Sequence, residues 1–177
     1  MGLRYDHLDD LTRKFMLEEI DFDEQNGTLY LSPRLHDAGC ASWPGLLREA
    51  AAAGTDETLA AAVRRDDCLH THMQRAKPKG GFTMAAVPYN APETLAEGEF
   101  NRFYIRGLCR RAMEDGIPYL VACRAKEVER PRAESEALIG NQFDPALVLA
   151  DLRANAGVDT AFGLPAGPNS GLCLTLP

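Results

Sequence analysis

Three of the chain's four histidines and two of its five cysteines fall in two short stretches. His36 and Cys40 are four residues apart, a spacing that puts both on one face of a helix. Cys68, His70 and His72 alternate, which puts them on one face of a strand. Imidazole and thiolate are the ligands of tetrahedral zinc, so a zinc-binding enzyme or regulatory module is one reading of the cluster. The spacing matches no zinc-finger pattern, and free Cys and His also serve in cores and turns. These five residues therefore stand as metal candidates only, and no cofactor is assigned.

Arg102, Arg106 and Arg110 recur every four residues and predict one basic stripe on a helix. Arg111 lies beside it, and Arg124, Lys126, Arg130 and Arg132 follow in the next segment. Such a patch would meet phosphates or acidic protein surface. The plain alternative is a solvated face balanced by Glu99, Glu114, Asp115, Glu127 and Glu129. A net charge of −7 disfavours a nucleic-acid-binding module built on this stripe. The charge is uneven, however: residues 1–31 hold eight acids against three bases, while the middle of the chain is slightly basic.

Arg75-Ala76-Lys77-Pro78-Lys79-Gly80-Gly81 sets lysines beside paired glycines, which can cradle an anion. It is not GxxxxGK[ST], so it reads as a mobile basic loop. GxSxG, HExxH and the known Cys–His spacings are absent from the sequence. Asp66-Asp67 and Glu127-x-Glu129 are carboxylate pairs of a kind common on surfaces. Lys126 beside the second pair resembles the acidic-basic core of a nuclease but lacks a supporting aspartate, and a catalytic claim needs mutual geometry. No enzyme is expected.

The elements that would position these groups follow from periodicity and punctuation. A first helix is predicted from about His7 to Asp23, with Leu8, Leu11, Phe15 and Ile20 on one side and Asn26-Gly27 as its stop. Thr28 to Leu31 is a short strand candidate. Ser42-Trp43-Pro44 reads as a helix start and Gly54 as its stop. Thr55 caps a third helix through about Arg65. Residues 73–94 hold three prolines and two adjacent glycines and predict an extended arm; Phe82, Met84, Val87 and Tyr89 need a surface to cover. That surface is either the chain's own core or a partner. A long helix from about Pro92 or Leu95 to Asp115 would bury a stripe of Phe100, Phe103, Tyr104, Leu108 and Ala112. Ile117 to Val128 reads as a central strand, because Tyr119 to Cys123 is a continuous apolar run. Asp144-Pro145 opens another helix, and Leu172 to Leu176 is a last strand.

This pattern predicts an α+β fold, helices packed on a small mixed sheet, in one domain. Residues 1–72 would be mainly helical, 73–94 the arm, and 95–177 helix–strand–helix–strand. At 177 residues with 45% apolar content, the chain can bury a core without a metal or disulfide. Its odd, widely spaced cysteines read as reduced thiols, with Cys109 and Cys123 as small core residues. No apolar run is long enough to span a bilayer, and the first residues carry no signal-peptide core, so a cytoplasmic chain is expected.

Lys77 to Thr83, Ala91 to Tyr104, Arg124 to Val128, and the ending from Gly163 to Leu172 together resemble small proteins of tailed phages and prophages. The likeness spans most of the chain and carries no motif of known chemistry. It implies a virion structural role, as a head–tail connector or a capsid accessory protein. The expected partners are capsid or portal protein and further copies of the chain in an assembly, in the virion or in the host cytoplasm during assembly, with no membrane. The expected contact residues are Lys77, Lys79, Phe82, Met84 and Tyr89 on the arm, and Arg102, Arg106 and Arg110 on the helix.

Overall fold

The computed structural model describes residues 2–78, 80–129, 131–157, 160–164 and 170–177. Lys79, Arg130 and residues 165–169 of the turn-rich tail lie outside these. Among the described residues the chain forms six helices and five short strands in an α+β fold. The helices are α1 (Asp10–Asn26), α2 (Asp37–Ala53), α3 (Asp56–Arg65), α4 (Ala91–Glu114), α5 (Ala133–Leu138) and α6 (Pro145–Ala154). The strands are β1 (His72–Ala76), β2 (Phe82–Ala86), β3 (Leu120–Arg124), β4 (Gln142–Phe143) and β5 (Leu172–Thr175).

Local chemistry sets most of the boundaries. The Asp9 side chain caps α1 through Thr12 N, and Gly27 ends it at φ 66°. Thr55 and Thr58 close a capping box on α3. Asp144 accepts from Ala146 N and Leu147 N, with Pro145 in the first turn of α6. Helix α2 begins five residues earlier than Ser42-Trp43-Pro44 suggests. The His36 ring caps it, Nδ1 accepting from Gly39 N at 3.1 Å, so Pro44 lies inside the helix. Residues 28–31 are irregular, because Thr28 N turns back to Asp23 O and no strand among the described residues pairs with them.

Helix α4 is the axis of the molecule. Helices α1, α3 and α6 pack around it, and β5 lies against it. It is therefore buried on nearly every side, polar residues included, rather than along one apolar stripe. The core runs without a break from Met16 and Ile20 through Trp43, Leu47, Leu59, Phe100, Phe103, Ile105 and Leu108 to Leu120, Val148 and Leu152. Gly107 lets α1 and α4 approach closely: a Cβ there would stand 2.9 Å from Met16 Cγ and 3.0 Å from Thr12 O. Arg13 of α1 donates to the carbonyls of Ala51 (2.8 Å) and Gly54 (3.0 Å), which serves the open C-terminal end of α2.

The main sheet has the order β4-β3-β5 and is antiparallel throughout, not mixed. Strand β3 is central, as its apolar run predicts. The N-terminal segment straps the layers together. Leu3 N donates to Asp56, Arg4 N to Ala125 O and His7 N to the Tyr104 hydroxyl, while the Tyr5 ring packs tilted against Phe100 and edge-on against Tyr104.

Candidate functional site

Between α3 and α4 the chain leaves the body as a β-hairpin. Strands β1 and β2 pair antiparallel from His72↔Ala86 to Ala76↔Phe82. The turn is closed by Lys77 N to Gly81 O and Gly80 N to Lys77 O, both 3.0 Å. Gly80 and Gly81 adopt φ of 88° and 79°, a region that side-chain-bearing residues rarely enter. The paired glycines therefore make a turn and not an anion cradle. The extended arm predicted for 73–94 is thus a hairpin over 72–86, a short link, and the first turn of α4.

Directly opposed residues of a ladder share a face. One face carries His72, Gln74, Ala76, Phe82, Met84 and Ala86, all exposed. The other carries Met73 and Ala85, which are half-buried, then Arg75 and Thr83. The second face thus leans on the body at its base, while the first looks outward. Phe82 is 68% exposed and Met84 61% exposed, so these apolar groups do not cover the chain's own core. Lys77 is exposed at the turn.

The foot of the hairpin is pinned to α3. The Arg64 guanidinium stands 4.4 Å from the centre of the Tyr89 ring, donates to Tyr89 O at 3.1 Å and pairs with Glu93 at 2.5 Å. Tyr89 still presents an exposed ring, 85% accessible. Phe82, Met84 and Tyr89 are accordingly held out from a fixed base.

The arginine stripe is placed otherwise than its spacing suggests. Arg106 is fully buried and Arg102 nearly so; only Arg110 reaches solvent. In this chain Arg102 and Arg106 are interior groups, and Arg110 is the exposed end of the stripe. Arg106 binds Glu19 (2.8 Å) and Asp23 (2.6 Å) of α1. Arg110 and, from α6, Arg153 close on the same Glu19 at 2.9 and 2.6 Å. Burial alone would raise the Glu19 carboxyl, but the hydrogen bonds from Arg153, Arg106 and Arg110 outweigh it and hold it down to about 2. Arg102 has a weaker position: it meets Glu99 at 3.4 Å, and its Nε and Nη2 and Glu99 Oε2 are buried without partners. Burial pushes the Glu99 carboxyl up.

The Cys/His cluster resolves into local structural roles. His36 Nε2 lies 2.5 Å from Asp67 O while Nδ1 caps α2, so both ring nitrogens are engaged. The His70 ring packs edge-on against His36, with centroids 5.9 Å apart. Cys40 lies against Leu35 O, and buried Cys68 lies 3.7 Å from Ser42 Oγ. Strand β1 starts only at His72, so Cys68, His70 and His72 do not share a strand face. Among the described residues no three His, Cys, Asp or Glu side chains are grouped to hold a metal ion. The Lys126–Glu127–Glu129 set also separates: Lys126 turns inward to Glu97 at 2.6 Å, and both glutamates are exposed.

Comparison with family models, curated proteins and solved structures returned no match.

Two features escaped the sequence. An open pocket of about 650 Å³ lies between the N-terminal segment, α3 and α4, lined by Gly2, Asp56, Glu57, Arg64, Glu97 and Lys126 among others. Asp56 is buried there, its carboxyl pushed up by burial, with Oδ2 taken by Leu3 N. The burial of the arginine ladder against Glu19 and Asp23 is the other. Its signal was present as Glu19 and Asp23 four residues apart on a predicted helix, but their match to the arginines is a tertiary event.

Proposed function

We propose that this chain is a non-enzymatic structural protein of a phage virion, a head–tail connector or adaptor or a capsid accessory protein. It acts through protein–protein contacts, and its principal contact element is the β1–β2 hairpin. The observation that carries this reading is the outward face of that hairpin, where Phe82 and Met84 are exposed side by side with Gln74 and Ala76. Each large apolar side chain removed from water on docking contributes about 1.5–3 kcal/mol. A ribbon that holds such groups out, with basic Lys77 at its turn, suits insertion between neighbouring subunits. The likeness to tailed-phage proteins supports the same assignment, with capsid or portal protein and further copies of the chain as partners.

The test is the double substitution Phe82→Ser, Met84→Ser, followed by native mass spectrometry of the chain alone and mixed with capsid or portal protein. Complexes formed by the unsubstituted chain are expected to be lost, with an unchanged thermal midpoint. Complexes that persist at full yield in the double variant would overturn the assignment of the hairpin.

A further inference from the structure

Strands β3 and β5 place Cys123 directly opposite Cys173. Both are free thiols. Opposed residues of an antiparallel ladder project from the same face, and this pair is of the hydrogen-bonded kind, because Ala125 N donates to Gly171 O one repeat along. Such pairs have Cα atoms about 5.5 Å apart, within the 4.4–6.8 Å that a disulfide spans, and closing the bond draws the two Cβ atoms together to about 4 Å.

Their surroundings differ in a useful way. Cys123 is half-buried and reachable from solvent. Its thiol is held below the ordinary value, chiefly by the neighbouring Cys173 thiol. Cys173 is 1% exposed, its Sγ 2.9 Å from Asn101 Oδ1, and burial pushes its thiol up. One sulfur is thus accessible and the more readily ionised, and the other is shielded behind it. The remaining cysteines face other groups: Cys40 lies on Leu35 O, Cys68 on Ser42 Oγ, and Cys109 is buried in α4.

We propose that Cys123 and Cys173 form a dithiol modification site that a small disulfide, such as oxidised glutathione, closes to a cross-strand disulfide. The Cys123 thiolate attacks one sulfur of the oxidant, breaks its S–S bond and releases one glutathione. Cys173 then attacks Cys123 Sγ, breaks the mixed disulfide and releases the second glutathione. The two cysteine sulfurs lose two electrons together, and the two glutathiones take up those electrons and the two thiol protons. The product staples the C-terminal strand to the centre of the sheet.

The experiment treats the full folded chain with oxidised glutathione, quenches with acid, counts thiols after denaturation and maps peptides by mass spectrometry. Free thiols are expected to fall from five to three, with the Cys123 and Cys173 peptides joined. In Cys173→Ala, which keeps a small apolar group in the buried position, the reaction is expected to stop with one glutathione on Cys123. Five remaining thiols, a persistent mixed disulfide on the unsubstituted chain, or preferential loss of Cys40 or Cys68 would each overturn the proposal. The peptide map of the unsubstituted chain decides the matter even where the variant fails to fold.

Discussion

Glu19 accepts hydrogen bonds from three arginines on two helices, and with Asp23 it is the point where α1, α4 and α6 are tied. Removing one partner of a buried ion pair is costly because the other charge is left in a poorly solvated place. Arg106→Met is therefore expected to destabilise the fold by about 3–5 kcal/mol in urea unfolding. Arg110→Ala is expected to cost about 1 kcal/mol or less, because Arg110 is one-third exposed and water replaces much of its contact. Glu19 also sets a pH dependence. Its carboxyl is held at about 2, below the ordinary 4.5. The ionised form is favoured by folding, so its contribution is complete above pH 4.5 and drains as pH falls through about 2. That contribution is of the order of 3 kcal/mol. The stability difference between the unsubstituted chain and Glu19→Gln, followed by chemical unfolding from pH 6 to pH 2, is expected to shrink by about that amount.

Among the elements, the hairpin and the α1–α4 contact make opposite demands on sequence. An isolated two-stranded ribbon is marginal in water, so the hairpin depends on its foot. Arg64→Ala removes the contact with Tyr89 and Glu93. Faster amide exchange across β1 and β2 is expected, with α4 still protected, measured by hydrogen exchange. The α1–α4 contact depends on the missing side chain at Gly107. Gly107→Ala drives a methyl against the backbone of Thr12 and is expected to cost about 1–3 kcal/mol in thermal unfolding.

For the whole molecule, none of the described hairpin residues belongs to the hydrophobic core. Cleavage within it should leave the body folded. Limited trypsin digestion is expected to cut early after Arg75, with the two fragments staying associated on a sizing column until denatured. Much of this architecture was legible beforehand. The caps at Thr55 and Asp144, the stop at Gly27 and the central placement of β3 follow from local chemistry and apolar runs. α5 and β4 were not legible. α5 is six residues long, with only Ser135 buried, and β4 is two residues long, so neither repeats a pattern often enough to show a period.

The sequence by itself determined the α+β class, most helix boundaries, and an apolar segment between the third and fourth helices that needed something to cover. Those depend on signals within a few residues: caps, glycine stops, periodicity. Only the tertiary structure decided which charged groups are inside. Arg102, Arg106 and Arg110 have the spacing of a surface stripe, and nothing local distinguishes such a stripe from a buried one. Arg106 is buried because α4 is surrounded by α1, α3, α6 and β5, and because Glu19 and Asp23, more than eighty residues away, supply the opposite charge. The same holds for Cys123 and Cys173, which are remote along the chain. Their meeting is a matter of strand register, and register is set by pairing across the sheet.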